Sequence, residues 1–258
     1  MKRVTCLCVF GTLVGILATG RGADAPAAAA AKAAEGPRDA AAAEALKSVG
    51  AQVRLDAQGR IDSVLLVNPK ATDADLAPLA GLDGLEELEI VGGGITDAGL
   101  AHLRGLPLLR LYLRNVAVTD AGLKHLGGLK SLEALSLQKT KITGKGLVSL
   151  EGLADLQVLN LAGTAVGDDD LAHLEKLTEI ETLVLEGTRV TGAGLAHLKG
   201  LARLRTLTLK NCGVADGDLE QLSGLSNLRM LYVKGTKVTK AYSEKFKKKI
   251  PGLAVLFH

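Results

Sequence analysis

The sequence predicts an α/β solenoid: a right-handed, horseshoe-shaped arc with a parallel β-sheet on its concave face and short helices on its convex face. Two observations carry this. Apolar pairs of the form L-x-L begin at Val64, Leu88, Leu111, Leu135, Leu159, Leu183, Leu207, Leu231 and Leu256, so the chain repeats itself at about 24 residues and about nine strands are expected. The composition agrees: 49 of the 258 residues are Leu, while aromatics make up only 2%. Such a chain builds many similar layers rather than one ring-packed centre.

Within a unit, Leu156-x-x-Leu159-x-Leu161-x-x-Thr164-x-Val166 precedes Leu171-x-x-Leu174-x-x-Leu177. Alternation at Leu159 and Leu161 is the two-residue period of a strand. Recurrence at every third residue marks one face of a short helix. Between them stand Thr72-Asp73, Thr96-Asp97 and Thr119-Asp120, where Thr caps the helix and Asp suits its positive end. Gly99, Gly122, Gly146 and Gly194 fall just inside the helix, where a small residue lets a neighbouring element approach. No unit can bury its Leu face alone; stacking buries it.

The ends need covers. Asp39 to Val49 reads as a helix with Ala42, Ala45 and Leu46 on one side. Gln52–Leu55 and Ile61–Val67 alternate around Asp56-Ala57-Gln58-Gly59, a hairpin signal. Together they form an N-terminal cap over residues 39–63, with repeats over 64–239. Residues 240–258 form a C-terminal cap: Tyr242 and Phe246 replace Leu, Lys247-Lys248-Lys249 face water, Pro251-Gly252 stops the helix, and Val255–His258 is the last strand.

Ahead of the cap, Lys2-Arg3, an apolar run over Val4–Ala18 and the small residues behind it have the form of a secretory signal peptide over residues 1–22. Cleavage after Gly20 suits the small residues; Gly22 and Ala23 are alternative sites, and an uncleaved anchor or a buried helix is the alternative to cleavage. Residues 23–38 are an Ala-rich linker. Without the first 22 residues, 28 basic side chains face 28 acidic ones. Bulk charge therefore gives no support to nucleic-acid binding, and the few aromatics disfavour base stacking. Cys212 would be the one cysteine left, in an inward turn column that favours a buried thiol over a reactive one. The chain is expected outside the cytoplasm, periplasmic or extracellular, with no stable membrane insertion after cleavage.

The repeat resembles the leucine-rich repeat family, and most closely its Cys/Thr-column, ribonuclease-inhibitor-like subtype. Thr140, Thr164, Thr188, Cys212 and Thr236 occupy that column, and the tail reads Ile95-Thr96-Asp97-Ala98-Gly99-Leu100-Ala101-His102-Leu103. The whole is similar to bacterial secreted proteins of this class. The resemblance implies the fold and a binding role rather than catalysis.

Other chemistry reads as structural. His102, His125, His173 and His197 share one helical column, but successive units lie about 10 Å apart there, too far to share an ion; no metal is expected. Asp168-Asp169-Asp170 is first-turn acidity. Gly92-Gly93-Gly94 lacks the phosphate-loop sequence and sits in a turn that the other units make without glycine. No cofactor is implied, and no polar cluster suggests an enzyme.

The favoured function is a protein–protein interaction module using its concave sheet. The candidate residues are Glu87, Glu89, Arg110, Tyr112, Arg114, Gln138, Asn160, Glu186, Lys210, Met230, Tyr232 and Lys234, because Tyr, Arg and Met are frequent interface anchors. Arg110, Tyr112 and Arg114 suit an acidic partner, unless Glu87 and Glu89 on the adjacent strand already pair with the arginines. The alternatives are an envelope scaffold without a dedicated ligand and a substrate-receptor-type adaptor, as among eukaryotic members of the family. The sequence names neither the ligand nor the oligomeric state.

Overall fold

The computed structural model describes residues 37–258; the expected signal peptide and nearly all of the expected linker lie outside the described residues. Ten strands form one sheet in sequence order: β1 (Gln52–Leu55), β2 (Ile61–Val67), β3 (Glu87–Val91), β4 (Arg110–Arg114), β5 (Ala134–Ser136), β6 (Val158–Asn160), β7 (Thr182–Val184), β8 (Thr206–Thr208), β9 (Met230–Tyr232) and β10 (Ala254–Leu256). β1 pairs with β2 antiparallel, and every later pair is parallel. This is the leucine-rich-repeat solenoid that the repeat predicts.

The strands share one inward column. Val64, Leu88, Leu111, Leu135, Leu159, Leu183, Leu207 and Leu231 are in register and buried. The last unit departs from the sequence reading by one residue. Val255, not Leu256, pairs with Leu231, and Leu256 pairs with Tyr232. A one-residue slip exchanges the faces of a strand, so Leu256 stands on the open face and Phe257 leans toward the core. Apolar residues at three consecutive positions left the period ambiguous.

The outer layer is also tighter than expected. Only α2 (Asp97–Leu100) and α3 (Asp120–Leu123) are α-helical turns; the other units carry 3-10 segments at Asp73–Leu79, Lys145–Leu150, Asp169–Leu174, Gly194–Leu198 and Asp216–Leu222. Leu171, Leu174 and Leu177 recur at three residues, and 3.0 residues per turn is the 3-10 period. Those three leucines are fully buried.

The units are tied by carboxylates rather than by helix dipoles. Asp73 accepts from the Thr96 backbone N–H (2.7 Å) and hydroxyl (2.6 Å) of the next unit. The same rung joins Asp97 to Thr119, Asp120 to Thr143, Asp168 to Thr191 and Asp216 to Thr239. Gly99, Gly122, Gly146 and Gly194 lie against these carboxylates, and a Cβ at Gly99 would come within 2.5 Å of Asp73 Oδ1. Two units break the rule together. Gly144 and Gly192 replace the Asp, and in the following unit Gly167 and Ala215 replace the Thr. There Asp170 and Asp218 stand where the others have glycine and accept from the Gly167 and Ala215 N–H at 2.8 and 2.7 Å. Asp75 does the same for Thr72 in the first unit. A carboxylate therefore fills this niche in each of these units, supplied either from the preceding unit or from within. The Asp168–Asp170 run thus does more than complement a helix end: Asp168 makes a rung and Asp170 caps its own turn.

A residue with positive φ follows most strands: Gly92, Asn115, Lys139, Gly163, Gly187, Asn211 and Gly235. This corrects the expectation that only the Gly92–Gly94 unit uses glycine there. Three other units do, because the left-handed turn out of the strand costs a glycine least. In the Cys/Thr column, the hydroxyls of Thr140, Thr164, Thr188 and Thr236 donate to the carbonyl three residues back at 2.6–2.7 Å, and the Cys212 thiol donates to Leu185 O at 3.0 Å.

The caps close both ends. Helix α1 (Pro37–Ser48) begins two residues earlier than expected and buries Ala42, Ala43 and Leu46, whereas Ala45 is exposed. Asp56 organises the hairpin turn by accepting from the Gln58 and Arg60 N–H. Helix α4 (Lys240–Lys247) buries Phe246 and Ser243 and half-buries Tyr242. The Tyr242 hydroxyl donates to Glu220 of the preceding unit, and that bond pushes the phenol up to about 12; Lys249 reaches the same carboxylate.

Candidate functional site

Alternation leaves three rows of side chains on the concave face; the third closes β2, β3 and β4 and lies just past the ends of the later strands. The first runs Ser63, Glu87, Arg110, Ala134, Val158, Thr182, Thr206, Met230 and Ala254. The middle row runs Leu65, Glu89, Tyr112, Ser136, Asn160, Val184, Thr208, Tyr232 and Leu256. The third holds Val67, Val91, Arg114, Gln138, Ala162, Glu186, Lys210, Lys234 and His258. All twelve sequence-selected residues thus lie on one face, but they fall into separate groups.

The first group spans β3 and β4. Arg110 pairs with Glu87 at 3.4 Å and Arg114 with Glu89 at 3.3 Å. The Arg114 guanidinium also sits 5.5 Å from the Tyr112 ring centroid. The pairing that competes with an acidic ligand is therefore present in the free protein. Burial, then Glu87, raises the Tyr112 phenol above its ordinary value. Two arginines and two glutamates make this group neutral overall.

The second group lies at β8 and β9. Lys210 Nζ is 5.1 Å from the Tyr232 ring centroid. The Tyr232 hydroxyl points at Met230 Sδ, 3.7 Å away, and its ring meets the His258 imidazole edge-on at 6.3 Å. Gln138, Asn160 and Glu186 belong to neither group. Asn160 is turned down onto the backbone, accepting from Ala162 N–H at 2.9 Å.

Between the two groups the floor is small-chained: Ala134, Ser136, Val158, Thr182, Val184, Thr206 and Thr208. Ser136 and Thr208 are only 3% and 2% exposed, and their hydroxyls have no partner; with Arg114 Nε they are the buried side-chain polar atoms left unpaired among the described residues. All three lie on this face. Sequence reading passed over Ser136 and Thr208 because small hydroxyl residues are unremarkable on a strand; only their burial distinguishes them.

The remaining candidates sit on the convex side or inside. His173 and His197 meet Glu151 and Glu175 of the preceding unit at 2.8 and 2.7 Å, and His125 accepts from Arg104 at 2.9 Å. Each contact joins neighbouring units, and none joins two histidines. Among the described residues no group of three His, Cys, Asp or Glu side chains is placed to hold a metal ion. Burial holds the Cys212 thiol above its ordinary value, as befits a packed rather than reactive group. Among the described residues no helix is long and apolar enough to cross a membrane.

No family model matches the sequence, and no curated protein matches it. Among solved structures, 412 chains match. An internalin, InlF, from Listeria monocytogenes superposes with a TM-score of 0.57 at 20% identity, over 74% of this chain and 58% of its own. Internalin C2 from the same organism gives 0.53 at 23% identity, over 85% and 93%. The leucine-rich-repeat ectodomain of the Arabidopsis thaliana receptor kinase GASSHO1/SCHENGEN3, solved in complex with Casparian strip integrity factor 2, gives 0.55 at 19% identity, over 76% and 23%. The chain thus spans little more than half of the first of these and about a quarter of the third. At these identities the likeness is one of fold.

Proposed function

We propose that this chain is an exported, non-enzymatic leucine-rich-repeat protein of the Cys/Thr-column kind that binds a protein partner through its concave sheet. One observation carries the reading: the sheet puts Tyr112, Met230 and Tyr232 on one face, each only partly buried, with Arg114 and Lys210 against the two rings. Half-buried Tyr and Met beside cationic side chains are the residue types that anchor protein interfaces. The ectodomain noted above shares the fold and was solved with a bound factor, which supports the same use here.

The test compares capture by the two faces. A partner recovered by the mature protein should be lost when Asn160 is replaced by Arg on the concave floor. It should be retained when convex Lys124 or Lys199 is replaced by Ser. Capture that survives the concave change while circular dichroism confirms folding would remove the concave sheet from consideration. Export is tested by intact mass: the extracytoplasmic protein should lack the residues up to a site between Gly20 and Ala23.

A further inference from the structure

The two ends of the concave face differ in electrical state, and the difference selects where a charged partner lands. At β3 and β4 each arginine already holds a glutamate. At the other end Lys210 and Lys234 stand side by side on neighbouring strands. The ladder fixes this placement, since Leu209 N–H donates to Tyr232 O and Asn211 N–H donates to Lys234 O, both at 2.8 Å. Among the described residues neither lysine has a carboxylate within ion-pairing distance. The side-chain carboxylate nearest in register, Glu186, flanks Lys210 on the side away from Lys234, as Gly187 N–H donates to Lys210 O.

Like charges opposite one another on adjacent strands are destabilising. The free protein gains nothing from this pair beyond the Lys210–Tyr232 contact. The rest of the neighbourhood reinforces the imbalance. From Arg229 to His258 the chain carries Arg229, Lys234, Lys237, Lys240, Lys245, Lys247, Lys248 and Lys249 against Glu244 alone. Lys247 pairs with Glu244 and Lys249 with Glu220 on the convex side.

Resting on the concave-binding reading above, we infer that Lys210, Lys234, Tyr232 and Met230 form the subsite for an acidic segment of a protein partner. A carboxylate set between the two ammonium groups relieves their mutual repulsion. Tyr232 and Met230 beside them offer an apolar surface to the residue next to that carboxylate. The β3–β4 end, neutral in itself, contributes contact area rather than charge.

The probe is a fluorescein-labelled hexaglutamate peptide, followed by anisotropy at low salt with hexalysine as control. Wild-type protein should bind hexaglutamate, more weakly as salt rises. The double variant Lys210→Glu/Lys234→Glu should bind at least about tenfold more weakly, since it places like charges against the probe. Lys210→Arg/Lys234→Arg should retain binding. The decisive control is Lys245→Glu/Lys248→Glu, which makes the same change in net charge on the exposed side of α4 and should leave affinity within about twofold. Equal losses in the two charge-reversed variants would reduce the effect to bulk charge and overturn the subsite, as would a wild-type protein that ignores the probe. If a captured partner is lost on Asn160→Arg but hexaglutamate binding does not depend on Lys210 and Lys234, the concave reading stands and this inference alone falls.

Discussion

At the scale of single residues, alternation along a strand sets neighbouring positions in different worlds. Leu159 is fully buried, so Leu159→Ala should cost about 2–5 kcal/mol, the usual result of emptying a core leucine site. Asn160 lies on the open face, yet its side chain holds Ala162 N–H. Asn160→Ala should therefore cost about 1 kcal/mol, the worth of one hydrogen bond, rather than nothing; urea midpoints of the two variants check the contrast. Lys139 is a second case. It sits at φ 54° in the column where other units use Gly or Asn, and its side chain is exposed. Lys139→Gly should raise stability by about 0.5–1 kcal/mol, because the left-handed backbone costs a lysine more than the glycine loses in chain entropy. A lower urea midpoint would mean that the Lys139 stem, which packs against Gly163, matters more than its backbone.

At the scale of the element, the rung between units is the device that sequence reading only half recovered. The Thr-Asp pairs and the inner glycines were legible because they recur at a fixed place. Their assignment to separate jobs missed that Asp, the next Thr and the next Gly form one contact spanning two units. That relation becomes visible when the exceptions are compared: Gly192, Ala215 and Asp218 change together. A Cβ at Gly192 would fall within the Asp218 carboxylate. Gly192→Asp alone should cost about 1–3 kcal/mol through this crowding, while the triple variant Gly192→Asp/Ala215→Thr/Asp218→Gly should recover most of the loss by installing a standard rung. Failure of the triple to exceed the single in melting temperature would sink the account. The rungs also predict an acid limb. Partial burial alone would raise the Asp120 carboxyl, but the Thr143 hydroxyl and surrounding N–H groups outweigh it and hold the carboxyl below its ordinary range. A carboxyl depressed in the folded state stabilises above its unfolded value of about 3.9 and loses that contribution as pH falls through the folded value. Asp120→Asn should thus be less stable at neutral pH and show a flatter decline below about pH 4, as read from thermal melts across pH.

At the scale of the molecule, the repeat itself was legible because one 24-residue pattern is written nine times, and errors in one copy are corrected by the others. The places that misled were those without copies to average over: the last strand, where Val255, Leu256 and Phe257 offer two registers, and the N-terminal helix, where a run of alanines hides which side is buried. The concave chemistry was legible as a set of positions but not as a charge balance, since whether Arg110 and Arg114 are already paired is a matter of side-chain placement. The same repetition sets how the molecule should come apart. Each unit packs only on its neighbours, so stability approaches a sum of unit and interface terms, and damage stays near its origin. Phe246 is the large side chain that closes the C-terminal end, 1% exposed on the inner side of α4. Phe246→Ala should remove about 3–5 kcal/mol of packing, but only from the last units. Native-state hydrogen exchange should then show lost protection at Leu209, Asn211 and Val233, whose N–H groups bond across β8, β9 and β10. Amides between β3 and β4, such as Gly92 and Leu109, should keep their wild-type rates, because unfolding of one end leaves the other end's neighbours in place. Equal acceleration at both ends would show instead that the solenoid unfolds as a single cooperative unit, with coupling between neighbours stronger than the cap contributes.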